Sequence, residues 1–137
     1  MQYAKYLDAE VTAICSEINI QFVKSLGADK TLDYTKADSI SKLEVYDFVL
    51  DSVGKRKKSQ LKEVCKLSTK DKNNFVSIDD EALICSSDRL NKIKQLVEAK
   101  KIVPITDRCY PFEQIIAAHR YVEQGHKKGN VAITINT

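Results

Sequence analysis

The residues of this chain that could do chemistry gather where candidate strands end. A β-branched run, Val11, Thr12 and Ile14, closes on the small polar pair Cys15 and Ser16, with Asn19 just beyond. The run Thr31 to Asp33 passes directly to Tyr34, and YDFVLDSVG at 46–54 closes on Asp51, Ser52 and Val53. Ligands of open α/β sheets sit beyond the carboxyl ends of the strands, which makes Asp51, Ser52 and Val53 binding candidates. Each also has a plainer reading. Ser16 and Asn19 can cap a helix beginning near Ile18, and Asp51 and Ser52 can cap the next helix, with Gly54 supplying the turn.

Other chemistry is thin. His119 and His126 would share a helix face only if the helix continued past Gly125. The cysteines at 15, 65, 85 and 109 are widely spaced, with no CxxC or HxxxH pair, and read as buried thiols rather than a zinc site. No GxSxG-type nucleophile motif occurs, and no catalytic residue is nominated. The segment Lys55 to Lys72 is strongly basic, opposed only by Glu63 and Asp71. Such a stripe could follow a phosphate backbone, but no aromatic residue interleaves with it to stack bases. A solvated helix face explains it more simply, and no nucleic-acid partner is expected.

The elements that must position these residues follow from periodicity. At 137 residues, with 43% hydrophobic and 30% charged residues and a net charge of +3, the chain has the size and composition of one ordinary globular domain. Its apolar runs are too short to span a bilayer, and no basic-then-apolar leader opens it, so the expectation is a soluble, cytoplasmic protein without a membrane partner. Strands are expected at Glu10–Cys15, Thr31–Asp33, Tyr46–Asp51, Asn74–Ile78 and Asn130–Ile135. Helices are expected at Gln2–Leu7, Ile18–Leu26, Ala37–Leu43 and Lys57–Leu67. Asp88 can cap a helix over Arg89–Lys100 with Leu90, Ile93, Leu96 and Val97 on one stripe. Pro111-Phe112-Glu113 can open a last helix that runs to Gln124, turns Ile115, Ile116, His119 and Val122 inward, and stops at Gly125. Alternating strands and helices argue for an α/β fold, a mainly parallel sheet flanked by helices. No repeat or linker divides residues 1–137.

The stretch Glu10–Tyr34 reads as the second half of a dinucleotide-binding unit, whose strand and Gly-rich turn would come about twenty residues upstream. Only Met1 to Ala9 precede it here. Together, KSLGADKTLDY at 24–34, YDFVLDSVG at 46–54, FVSI at 75–78 and LVEAKKIVPITDRCYPFEQIIAAHRYVEQGHKKGNVAITI at 96–135 resemble the medium-chain dehydrogenase/reductase superfamily. More narrowly, they resemble its zinc-type alcohol dehydrogenase and quinone oxidoreductase-like branch, the NADPH-dependent members that usually lack catalytic zinc.

The resemblance implies a truncated Rossmann-like domain, without the N-terminal substrate domain or the Gly-rich turn, and shortened between Asp79 and Leu83. It puts Ser16 at the ribose-reading position. An acidic residue there favours NAD, whereas a small polar one admits NADP. Tyr34 resembles the tyrosine that lines the same pocket, and Asn19 stands where many members carry or adjoin a basic residue. Glu17 adds negative charge nearby. Asp51, Ser52 and Val53 would face the ribose and diphosphate side. The expected cofactor is therefore NADP, held weakly, without zinc. The expected activity is hydride transfer between NADPH and a carbonyl, enone or quinone, with this chain not competent alone. The alternative is a non-catalytic binding or oligomerisation module of the same fold. In the doubly wound order the first strand is central, so the strands at Glu10–Cys15 and Tyr46–Asp51 would lose their common neighbour. The gap could close, the last strand could be re-used within the sheet, or a second copy could pair by exchange. A homodimer is the expected outcome.

Overall fold

The computed structural model describes residues 1–52, 75–78 and 86–135. Backbone contacts divide the chain into two compact units, Met1–Asn91 and Lys92–Thr137. Every described strand pair is parallel, in three two-stranded sheets.

In the first unit, helix α1 (Gln2–Tyr6) leads into β1 (Thr12–Cys15). A 3₁₀ turn at Glu17–Asn19 and helix α2 (Ile20–Ser25) then cross over to β2 (Lys30–Asp33). The register runs from Thr12 opposite Lys30 to Cys15 opposite Asp33. Val23 and Ala28 are buried, and α2 contacts both strands of the pair. A second 3₁₀ segment covers Ala37–Lys42. Strand β3 is shorter than expected, Val49–Asp51 rather than from Tyr46, and pairs with β4 (Phe75–Ser77). The expected helix at Lys57–Leu67, the basic segment containing it, and the shortened region at Asp79–Leu83 lie outside the described residues.

Helix α3 (Ser87–Glu98) straddles the division between the units. Its cap is not Asp88. The Ser86 Oγ accepts from the Arg89 N–H at 3.3 Å, two positions earlier, which leaves Asp88 in the first turn where its charge complements the helix dipole. Of the expected stripe only Leu96 is buried, and Leu90 is 70% exposed.

The second unit contains a strand that the sequence pattern does not announce, β5 (Thr106–Pro111). A 3₁₀ turn at Phe112–Gln114 and helix α4 (Ile115–Glu123) lead from it to β6 (Asn130–Thr134), which pairs with it in parallel. The inner face of α4 also differs from expectation. Ala118 is 4% exposed and Tyr121 half-buried, whereas Ile116 is 65% exposed and Ile115, His119 and Val122 are exposed as well. The helix buries its small residue Ala118 and leaves the larger aliphatics exposed.

Three helices end in the same way. After α1, α2 and α3 the chain enters the left-handed region at Asp8 (φ 56°), Gly27 (φ 97°) and Lys100 (φ 55°). In each case the next N–H bonds back to the first carbonyl of the last turn: Ala9 to Ala4, Ala28 to Val23 and Lys101 to Leu96, at 3.0, 3.1 and 2.9 Å. These are Schellman closures, and only the middle one has the residue that adopts this conformation without steric penalty. Gly129 is required for another reason, because a Cβ there would lie 2.6 Å from the Ile105 carbonyl oxygen.

Two carboxylates fasten these pieces. Asp29 accepts from Lys5 Nζ at 2.9 and 2.8 Å and from the Val11 N–H at 2.7 Å, which ties α1 to the starts of β1 and β2. Asp107 lies at the register shift between Thr106 and Arg108. Its Oδ2 accepts from the Tyr121 hydroxyl at 2.7 Å and the Lys128 N–H at 3.0 Å, and the Arg108 guanidinium stacks 4.0 Å from the Tyr121 ring centre.

Three stability predictions follow from this geometry. Lys100→Gly relieves a left-handed non-glycine residue and should stabilise by about 0.5–1 kcal/mol. Gly129→Ala should instead cost about 1–3 kcal/mol, as overpacking does. Urea unfolding of both variants reads the opposite signs. The Lys5 hydrogen bond, then the Val11 N–H, hold the Asp29 carboxyl below the usual carboxylate range. Its contribution is therefore present above the ordinary value near 4 and lost as pH falls through the depressed one. The difference in melting temperature between wild type and Asp29→Asn should be largest at neutral pH and vanish in strong acid.

Candidate functional site

The carboxyl ends of β1 and β2 bring three of the six nominated residues together. Ser16 directly follows β1 in extended backbone (φ −74°, ψ 156°). Its backbone oxygen accepts from the Asn19 N–H at 2.9 Å, and its Oγ accepts from Asn19 Nδ2 at 3.2 Å. Neither side chain caps a helix N–H, so the two polar groups are linked to each other. The Ser16 hydroxyl can still donate its hydrogen. Tyr34 directly follows β2, its N–H donates to the Cys15 carbonyl at 3.2 Å, one residue beyond the last paired position, and its side chain is exposed.

Asp51 and Ser52 lie at the corresponding end of the other strand pair of this unit. The Ser77 Oγ donates to Asp51 Oδ2 at 3.3 Å, and the Ile78 N–H donates to the Asp51 carbonyl at 3.0 Å, so Asp51 joins β3 to β4. Ser52 is exposed. Val53 lies outside the described residues.

Sequence reasoning missed the residue on which the first cluster is built. Asp33, the last of β2, is 7% exposed. Its Oδ1 accepts from the Thr35 N–H at 3.0 Å and the Thr35 hydroxyl at 2.8 Å. The Ser39 hydroxyl donates to its backbone carbonyl. Its Oδ2 has no hydrogen-bond partner, and Lys36 Nζ stands 4.0 Å away. The same ammonium lies 3.9 Å from Glu17 Oε1, in the turn after β1. The Thr35 N–H and hydroxyl, followed by the Lys36 charge, hold the Asp33 carboxyl below its usual range and hence ionised at neutral pH. The available signal was Asp33-Tyr34-Thr35, an Asx-turn pattern placed where a strand ends.

The chemistry open to this cluster is recognition. Burial, then the Asp33 charge, push the Cys15 thiol upward, which disfavours its thiolate. His119 and His126 are exposed in the other unit. A hydroxyl, a phenol and an ammonium around the end of a parallel strand pair suit the sugar and phosphate of a nucleotide.

A family model of zinc-binding dehydrogenases matches residues 26–133. The chain is 27% identical, over 174 aligned positions, to a mitochondrial NAD(P)H oxidoreductase of Mus musculus, covering 98% of this chain and 44% of the relative. It is 30% identical over 141 positions to a chloroplastic NADPH-dependent alkenal/one oxidoreductase of Arabidopsis thaliana, covering 97% of this chain and 36% of the relative. Among solved structures it resembles an NAD-dependent alcohol dehydrogenase at a TM-score of 0.77 and 23% identity, covering 98% of this chain and 46% of that one. It also resembles the quinone oxidoreductase of Coxiella burnetii at 0.71 and 20%, covering 98% and 48%. At such identities the structural likeness establishes the fold. The chain spans less than half the length of these relatives. The mouse alignment is far longer than the chain, so that relative carries tens of residues without a counterpart here, whereas the plant alignment is nearly of equal length. Among the described residues no group of three His, Cys, Asp or Glu side chains is gathered to hold a metal. With its α/β fold, its parallel strand pairs and a family match over most of its length, the chain belongs to the zinc-binding dehydrogenases of the medium-chain dehydrogenase/reductase superfamily.

Proposed function

We propose that this chain is the nucleotide-holding part of an NADPH-dependent oxidoreductase that transfers hydride to a carbonyl, enone or quinone. The observation that carries this reading is the meeting of Ser16, Asn19 and Tyr34 at the carboxyl ends of β1 and β2, with a serine at the position where an acidic residue would repel a 2′-phosphate. The bound cofactor would supply the hydride. The chain's own residues bind and orient: Ser16 donates to the ribose or its phosphate, Tyr34 lines the adenosine side, and Asp51 keeps the neighbouring strand pair in register. The names of the relatives support a reductase of activated carbonyl compounds, and their greater length supports a substrate-facing part beyond the share matched here. Catalysis by this chain alone is accordingly not expected.

The alternative, a non-catalytic binding or oligomerisation module, draws support from the strand edges. Among the described residues β1 pairs only with β2 and β3 only with β4. Open edges recruit further strands, and a homodimer satisfies two of them at once.

Calorimetric titration should give NADPH a dissociation constant in the millimolar range, about 4 kcal/mol of binding, with NADH weaker still. Oxidation of NADPH in the presence of quinones, enones or aldehydes should not exceed that of a heat-denatured control. Tighter binding of NADH would reverse the cofactor reading, and turnover that Tyr34→Phe abolishes would restore a complete enzyme. Light scattering after size exclusion should return the mass of a dimer at micromolar concentration, and a cooperatively melting monomer would remove the pairing proposal.

A further inference from the structure

We propose that Lys36 is the cation that reads the 2′-phosphate of the cofactor, supplied from the loop after β2 rather than from the helix after β1. This inference rests on the nucleotide reading given above and adds to it the residue that decides between the two cofactors. The segment following β1 brings no positive charge, because Glu17 is acidic and Ile18 and Asn19 are neutral. Nearby lysines are engaged at the opposite end of the strand pair: Lys30, which opens β2, meets Glu10 and Glu44 at 3.1 Å each, and Lys5 meets Asp29 at 2.8 Å. Lys36 is at the carboxyl end, where its Nζ lies 3.9 Å from Glu17 Oε1 and 4.0 Å from Asp33 Oδ2.

The two carboxylates are not equivalent. Asp33 has a side chain only 4% exposed, fixed by Thr35, with its second oxygen lacking a hydrogen-bond partner. It cannot follow the lysine outward. Glu17 is exposed and free to swing, and an exposed ion pair of this length is a weak hold. A phosphate monoester, carrying between one and two negative charges at neutral pH, can therefore displace Glu17 while Lys36 stays close to the buried Asp33. Among the described residues, the same corner without Lys36 presents two carboxylates and no cation, and a 2′-phosphate would be repelled. The preference for NADP then depends on one exposed lysine standing beside a buried aspartate, with Glu17 as its internal competitor.

The test uses the whole chain, isotopically labelled, titrated by NMR with adenosine 2′,5′-bisphosphate and with adenosine 5′-monophosphate. Lys36→Gln should weaken the bisphosphate about fivefold to tenfold and leave the monophosphate unchanged. Lys36→Arg should retain most of the affinity, and Glu17→Gln should tighten the bisphosphate about threefold. A purely structural latch would instead lower the melting temperature of Lys36→Gln and weaken both nucleotides alike, which overturns the proposal. So does an unchanged bisphosphate affinity in Lys36→Gln, or a weakened one in Glu17→Gln. If wild type binds both probes equally, the NADP preference itself fails and the proposal with it. If wild type binds neither, the nucleotide site fails, and the proposal falls at that earlier step.

Discussion

Parallel pairing is the constraint on which the rest of this structure depends. Two parallel neighbours cannot be joined by a tight turn, so each pair needs a crossover, and the two carboxyl ends finish side by side. In the first pair the register puts Cys15 opposite Asp33, and the residues that begin the next segments, Ser16 to Asn19 and Tyr34 to Lys36, are brought to one edge. Nothing in their separation along the chain would bring them there. The candidate site is thus a product of strand register, and its composition is set by whatever the sequence places just after each strand.

Strand β2 is held by an aspartate at each end, and their surroundings give them different work. Asp29, before the strand, is partly exposed and saturated by donors from Lys5 and Val11. It fastens. Asp33, at the end, is enclosed, half saturated by Thr35, and faces an ammonium with its remaining oxygen. A buried carboxylate with an unsatisfied oxygen is costly unless a charge compensates for it. Here the compensating group stays at the surface.

The second unit repeats the strategy with different chemistry. Its parallel pair, β5 and β6, carries its irregularity at Asp107, and that carboxylate is the anchor to which α4, through Tyr121, and the turn at Lys128 attach. Large apolar side chains remain uncovered in both units, among them Ile18 at 78% exposure and Ile135 at 72%. Surfaces of this kind fit a chain that covers less than half of its relatives' length and whose matching portion, in them, adjoins more protein.

The sequence by itself determined the fold class, the family and most of the elements, because these rest on local signals. Apolar periodicity set α1, α2 and β1, and the glycine at Gly27 announced the end of α2. Ser16, Asn19 and Tyr34 were legible as candidates through the family resemblance, and Asp51 and Ser52 because they close a strand-like run. Tertiary structure decided the rest. The strand at Thr106–Pro111, rich in polar residues and ended by proline, has little strand propensity of its own and exists through pairing with β6. The face of α4 that turns inward is that of the small Ala118, which periodicity over larger aliphatics does not register. The roles of Asp33 and Lys36 depended on burial and on a contact across the strand pair to Glu17, and a charge's environment is fixed only when distant segments are packed against it.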